Sequence, residues 1–174
     1  DQYNFKKIVT QCPHCFTTLK NDYAEMVIEL DVVHHSQFID ELIQDKKIKP
    51  KPYIDEDITF HDPCYLGRHN GEYDAPRNVL QSILKKGKLK EMQQSKSESF
   101  CCGAGGGNMW YEIKTGDRIN QSRVNQAVET KSTTVAAACN FCNIMLEDGI
   151  KTTENEDNIR VLDIAEMVSE GLGT

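Results

Sequence analysis

Apolar and polar positions along this chain switch repeatedly between a short and a longer period, and each switch predicts a new element. Lys7 to Thr10 is a short β-prone run leading to Cys12, and Phe16 to Met26 has the apolar spacing of a helix. Ile28 to Val33 predicts a strand, while Phe38, Ile39, Leu42 and Ile43 fall at i, i+1, i+4 and i+5 on one helix face. Lys46 to Pro52 is rich in lysine and proline and predicts a linker. Beyond it, Ile58-Thr59-Phe60 predicts a strand running into Cys64. Ala75 to Leu84 suits a helix that tolerates Pro76 in its first turn, and Gln93 to Ser99 is polar enough for a loop. A helix over Arg118 to Glu129 would turn Ile119, Val124, Ala127 and Val128 inwards. Thr133 to Ala138 is an unbroken run of small, β-prone residues, as in a buried parallel strand, and it ends at Cys139. Phe141 to Leu146 predicts a helix, Ile159 to Leu162 a strand and Ile164 to Leu172 a last helix. Such alternation predicts an α/β fold with a mainly parallel sheet.

Part of the pattern occurs twice. Ile8-Val9-Thr10-Gln11-Cys12-Pro13-His14-Cys15, with Leu19 beyond, parallels Val135-Ala136-Ala137-Ala138-Cys139-Asn140-Phe141-Cys142 with Leu146. Val32-Val33-His34-His35-Ser36-Gln37-Phe38-Ile39 parallels Val161-Leu162-Asp163-Ile164-Ala165-Glu166-Met167-Val168. Each unit is a strand, a Cys-x-x-Cys, a helix, a strand and a helix. The second unit has Cys64, Cys101 and Cys102 upstream of it, whereas nothing comparable precedes the first and no initiator methionine is present. The expectation is a C-terminal piece of a longer protein that begins inside its first repeat.

Composition narrows the class. With 27% charged and 39% hydrophobic residues, the chain is an ordinary soluble type, and no apolar run approaches the roughly 20 residues that span a bilayer. The first seven residues hold no hydrophobic region of a signal peptide. A formal charge of −7 argues against nonspecific nucleic-acid binding. Seven cysteines cannot all pair within one chain, and a chain of 174 residues needs no disulfide staples, which favours a reducing, cytoplasmic compartment.

The remaining chemistry lies in the cysteines. Thirty-six residues separate Cys64 from Cys101, and thirty-six more separate Cys102 from Cys139 and its partner Cys142. Thiolates bind soft or borderline metals, and four would complete a zinc tetrahedron or hold a cubane cluster. A fifth, with two adjacent, points to a larger iron–sulfur assembly. A redox dithiol and a structural zinc knuckle are the alternatives for Cys139 and Cys142 alone. Both Cys-x-x-Cys motifs stand between a strand and a helix, at the carboxyl edge where such folds place ligands and where a helix N-terminus favours thiolate. In Cys101-Cys102-Gly103-Ala104-Gly105-Gly106-Gly107-Asn108, glycine N–H groups can donate to sulfur. The run fails as a dinucleotide fingerprint because Asn108 stands where the third glycine belongs, and its leading cysteines argue against a flexible linker. In His61-Asp62-Pro63-Cys64, Pro63 stiffens the approach to the cysteine. His61 and His69 are either hydrogen-bond partners near a cluster or local structural residues. His34 and His35 are expected to start a helix, and Trp110 and Tyr111 to pack on the glycine-rich turn, with a pocket-lining role as the alternative.

Cys64, then Cys101-Cys102-Gly103, then Cys139-x-x-Cys142 resembles the cysteine-rich CCG domain. That domain is found in the B-type subunit of heterodisulfide reductase and in iron–sulfur subunits of anaerobic glycerol-3-phosphate dehydrogenase and of glycolate or lactate oxidation. His61-Asp62-Pro63-Cys64-Tyr65-Leu66-Gly67-Arg68 and Cys12-Pro13-His14-Cys15 are most similar to the bacterial iron–sulfur reductases linked to acyl-CoA dehydrogenase and electron-transfer flavoprotein. The resemblance implies two pseudo-symmetric repeats, with residues 1–55 the end of the first and residues 56–174 a complete second. It implies a non-cubane [4Fe–4S] cluster on Cys64, Cys101, Cys102, Cys139 and Cys142, in surroundings that include His61, Gly103, Gly105 and Gly106. Cys12 and Cys15 match only the tail of a preceding motif, an incomplete site where zinc is possible. The implied function is an oxidoreductase module relaying electrons between a flavoprotein or ferredoxin-type cluster and a quinone, with disulfide reduction at the cluster or a zinc-stabilised interaction module as alternatives. A fragment of this kind can be isolated without its cluster. Any membrane attachment would come from a preceding segment or a partner, leaving this part at the cytoplasmic face.

Overall fold

A strand of small residues with no polar side demands cover on both faces, and the fold is arranged around that demand. The computed structural model describes residues 5–111 and 116–173. The elements in chain order are β1 (Ile8–Thr10), α1 (Pro13–Thr17), a π-helical turn (Thr18–Asp22), α2 (Tyr23–Glu25), β2 (Val32–His34), α3 (His35–Gln44) and β3 (Ile58–His61). There follow α4 (Asp74–Ile83), β4 (Leu89–Lys90), α5 (Ile119–Glu129), β5 (Thr134–Ala137), α6 (Asn140–Thr152), β6 (Arg160–Asp163) and α7 (Ile164–Leu172). The main sheet has the order β4-β3-β5-β6, all parallel, and β1 pairs with β2 in a separate parallel ribbon.

Alternation along β5 builds two cores. Val135 and Ala137 point to one face, where Val124, Ala127, Leu146 and Ile150 of α5 and α6 cover them. Ala136, and Ala138 just past the strand, point to the other face, against Phe60, Val79, Leu80, Ile83, Ile164, Met167 and Val168. Helices therefore lie on both sides of the parallel sheet, the predicted α/β arrangement. Gly149 of α6 lets α5 approach closely, since a Cβ there would stand 2.8 Å from Val124 Cγ2 and 3.0 Å from the Asn120 carbonyl oxygen.

Several boundaries differ from those the pattern predicts. Of the expected Ile28–Val33 strand only Val32 and Val33 pair, and the strand runs one residue further to His34, because three-residue β1 offers partners only to Val32, Val33 and His34. The helix expected from Phe16 begins at Pro13, whose fixed φ suits a first turn. β4 escapes the pattern because two residues carry no period. The linker and the strand–helix order of both repeats match expectation.

The repeats agree down to their caps. His34 and Asp163, at matching positions, each close a capping box, with Gln37 and Glu166 respectively. His34 is buried; its Nε2 donates to the Gln11 carbonyl at 3.1 Å and its Nδ1 lies 2.8 Å from Ser36 Oγ. Burial, and then the neighbouring His35, hold its pKa down to about 3, so the folded ring is neutral. The unfolded ring takes up a proton below about pH 6.5 while the folded ring does not. Stability is therefore full above that pH and is expected to fall by about 1.4 kcal/mol per pH unit between 6.5 and 3 on this account. Urea unfolding across pH 7 to 5 checks this, and His34→Asn should flatten the slope.

Candidate metal centre

The strand order sets the location. β3 connects through α4 to β4 on one side, and the chain then returns to place β5 on the other side of β3. Two neighbouring strands whose connections leave in opposite directions open a crevice at their carboxyl ends. Cys64 follows β3, and Cys139, the N-cap of α6, follows β5. Cys142 lies in the first turn of α6. Cys101 and Cys102 arrive on a loop fastened beside β3, where Ser99 Oγ donates to the Asp62 carbonyl at 2.9 Å and Arg68 donates to the Ser99 carbonyl at 3.0 Å.

The five sulfurs form a continuous chain of contacts. Cys64 hydrogen-bonds with Cys101, Cys101 with Cys102, Cys102 with Cys142, and Cys142 with Cys139. Close thiols cannot all ionise, and their affinities for protons separate. The bonds from Cys102 and Cys64, helped by the N–H groups of Gly103 and Gly105, pull Cys101 far down. Cys139 is held at about 5 by its bond with Cys142, assisted by His14 and the first amides of α6. The bond to Cys101 pushes Cys64 up and takes Cys102 to about 12, while bonds to Cys102 and Cys139 raise Cys142. Gly103 reaches Cys101 at 3.3 Å with φ +95°, a conformation that a side chain would strain.

These sulfurs line a small recess of about 30 Å³, together with Pro13, His14, Pro63, Tyr65, Ala104, Gly105 and Phe141. Among the described residues no carboxylate lines it. An all-sulfur donor set with amide N–H groups around it suits a thiophilic metal, and a multivalent iron–sulfur group would let all five sulfurs ionise together. The donors fit such a group.

The structure brings His61 in among them. It is buried, and a ring nitrogen lies within 4.8 Å of the sulfurs of Cys102 and Cys142. His69 instead stacks on Tyr65 with ring centroids 4.3 Å apart, and it does not line the recess. Gly105 touches Cys101, whereas Gly106 stays on the rim. Cys12 and Cys15 hydrogen-bond with each other outside the chain of five, and all seven cysteines are free thiols. Trp110 and Tyr111 do not pack on the glycine-rich turn as expected: they are 80% and 72% exposed. Trp110 instead borders an open hollow at the mouth of the recess, with His14, Tyr65, Met109 and Phe141.

Two side chains escaped sequence reasoning. His14 lies 3.8 Å from Cys12 Sγ, bonds to Cys139, and packs on Tyr65 and Phe141, so it stands between the two cysteine groups. Arg123 is fully buried and donates to His61 Nδ1 at 3.0 Å. Its signal was present, because Asn120, Arg123, Val124 and Ala127 share one helix face with the first two polar.

The sequence profile of the cysteine-rich CCG domain matches residues 58–147, the stretch from β3 to α6 that carries all five converging cysteines. The chain belongs to the CCG cysteine-rich family. Its relatives include a probable iron–sulfur-binding oxidoreductase, FadF, of Bacillus subtilis, 41% identical over 99% of this chain and 24% of that protein. The EtfAB:quinone oxidoreductase of Syntrophomonas wolfei is 40% identical over 97% of the chain and 24% of its own length. A component of the dihydromethanophenazine:CoB–CoM heterodisulfide reductase of Methanosarcina barkeri is 40% identical over 97% of the chain and 41% of its length. This CCG chain thus spans about a quarter of the first two relatives. Among its described residues no helix is long and apolar enough to cross a membrane.

Proposed function

We propose that Cys64, Cys101, Cys102, Cys139 and Cys142 hold a non-cubane [4Fe–4S] cluster and that the module relays electrons as part of an oxidoreductase. Convergence of five sulfurs at the crevice between β3 and β5 is the observation that carries this reading. The cluster, when bound, supplies one-electron storage. The chain's own groups do the rest: the N–H groups of Gly103 and Gly105 offset negative charge on Cys101, and buried Cys102, Cys139 and Cys142 keep water from the inner side. The donor would be a flavoprotein or ferredoxin-type partner and the acceptor a quinone, in keeping with the activity for which the Syntrophomonas relative is named. Residues 1–55 would be the end of a first repeat and residues 56–174 a complete second, working at the cytoplasmic face beside other redox subunits. Cys12 and Cys15 supply two thiolates, half a zinc tetrahedron, so zinc there would need ligands from outside this pair.

A second reading is disulfide reduction at the cluster. The hollow of about 380 Å³ at the mouth of the recess, partly open to solvent and lined by Met109, Trp110 and Phe141, favours it. Anaerobic reconstitution with iron and sulfide tests both readings. Broad visible absorption that dithionite bleaches, with near-equal iron and sulfide per chain, is expected. A colourless chain holding tight zinc would leave a structural module. Bleaching reversed by an added disulfide would favour the second reading over the relay.

A further inference from the structure

Arg123 is the largest side chain wholly out of solvent, and its partners are unusual for a buried cation. Nε donates to His61 Nδ1 at 3.0 Å, one terminal nitrogen donates to the Gln94 carbonyl at 2.8 Å and Gln126 Oε1 at 2.7 Å, and the other lies 3.5 Å from Ser99 Oγ. All four acceptors are neutral. Among the described residues no carboxylate pairs with Arg123, and the nearby Asp62 and Glu91 are taken by Arg77. Burial holds its pKa down to about 10, so the guanidinium remains charged at neutral pH. A buried charge with no carboxylate bonded to it is costly. Asp62 acts electrostatically on Arg123 most strongly, and Cys142 and Cys102 follow.

The same contact decides the state of His61. A guanidinium has no acceptor, so Nδ1 of His61 must accept, and the neutral ring carries its proton on Nε2. Burial, and then Arg123, keep the ring neutral. With Nδ1 occupied by Arg123, Nε2–H is the ring's remaining donor, and a ring nitrogen lies within 4.8 Å of the sulfurs of Cys102 and Cys142.

We propose that Arg123 is a positioning residue of the cysteine pocket: it locks His61 in the Nε2–H tautomer beside the sulfurs of Cys102 and Cys142, and it adds an internal positive charge that offsets a cluster there. The inference rests on the iron–sulfur reading of the site. One-electron reduction adds a negative charge, which a neighbouring cation favours, so loss of that cation makes reduction harder.

The test uses the wild-type chain, Arg123→Met and Arg123→Lys, each labelled with 15N-histidine. In the reduced apo chain, long-range nitrogen–proton spectra should show wild-type His61 protonated at Nε2 and unprotonated at Nδ1, and Arg123→Met should give a mixture of tautomers. After reconstitution, Arg123→Met should disfavour reduction about tenfold, about 59 mV for a one-electron couple, and Arg123→Lys should restore most of that shift. Wild-type His61 protonated at Nδ1 overturns the proposal, with or without a cluster. So does an Arg123→Met chain with the wild-type potential. If Arg123→Met fails to fold, a wild-type tautomer at Nε2 with a near-wild-type potential in Arg123→Lys supports it, and either result reversed overturns it. A wild-type chain that takes up no iron overturns the iron–sulfur reading itself, while the tautomer still decides the role of Arg123.

Discussion

Reconstituted anaerobically, a chain carrying Cys102→Ala is expected to hold no more iron and acid-labile sulfide than a blank. Cys102 is the middle member of the sulfur chain, in contact with Cys101 on one side and Cys142 on the other. Without it, Cys64 and Cys101 are separated from Cys139 and Cys142, and neither pair alone supplies the ligands of a four-iron cluster. The site has no substitute, because among the described residues no carboxylate lines the recess. Replacing both Cys12 and Cys15 by serine should leave iron and sulfide at the wild-type level, since those thiols hydrogen-bond with each other and do not line the recess of the five. Wild-type iron in Cys102→Ala would mean that the five cysteines are not one ligand set.

Asp62→Ala is expected to lower stability by about 3–5 kcal/mol, because it strips a carboxylate from a buried ion pair. Asp62 is 3% exposed and takes both terminal nitrogens of Arg77 at 2.8 and 2.9 Å, while Arg77 Nε holds Glu91 at 2.7 Å. The same carboxylate accepts from the Lys96 amide at 2.8 Å, where the chain turns towards Cys101. Its loss therefore slackens both arms of the site, the one after β3 that presents Cys64 and the one that presents Cys101 and Cys102. Melting should begin roughly 10 °C lower, given about 2–4 °C per kcal/mol for a chain of this size. Iron uptake should slow as well. Asp62→Asn, which keeps the shape and one acceptor oxygen, should fall between the two. Equal stability in Asp62→Ala and wild type, by urea unfolding at pH 7, would show that Glu91 alone holds Arg77.

Much of this was legible in the residues because it is local. Val135 to Ala138 must be buried on both faces, and a strand so placed that ends in Cys-x-x-Cys before a helix leaves few places for the sulfurs. The capping residues His34 and Asp163 sit at matching points of the two repeats, and their role as helix starters follows from position alone. The aromatic pair Trp110 and Tyr111 went the other way, since a hydrophobic side chain by itself does not say whether a surface exists for it to cover.

The sequence by itself determined the alternation of strands and helices, the doubled strand–Cys-x-x-Cys–helix unit and the identity of the five sulfurs. The elements depend on spacings within a turn or two, where backbone geometry leaves little choice, and the five sulfurs on a long-range cysteine pattern that resembles one family. Only the tertiary structure decided the order in which the sulfurs touch, the place of His14 between the cysteine groups, and the partner of Arg123. Those contacts depend on how strands are ordered in the sheet. Arg123 meets His61 across 62 positions because β5 returns beside β3 rather than extending beyond β4. No local period encodes that choice; it comes from the summed burial of both helix layers on one sheet.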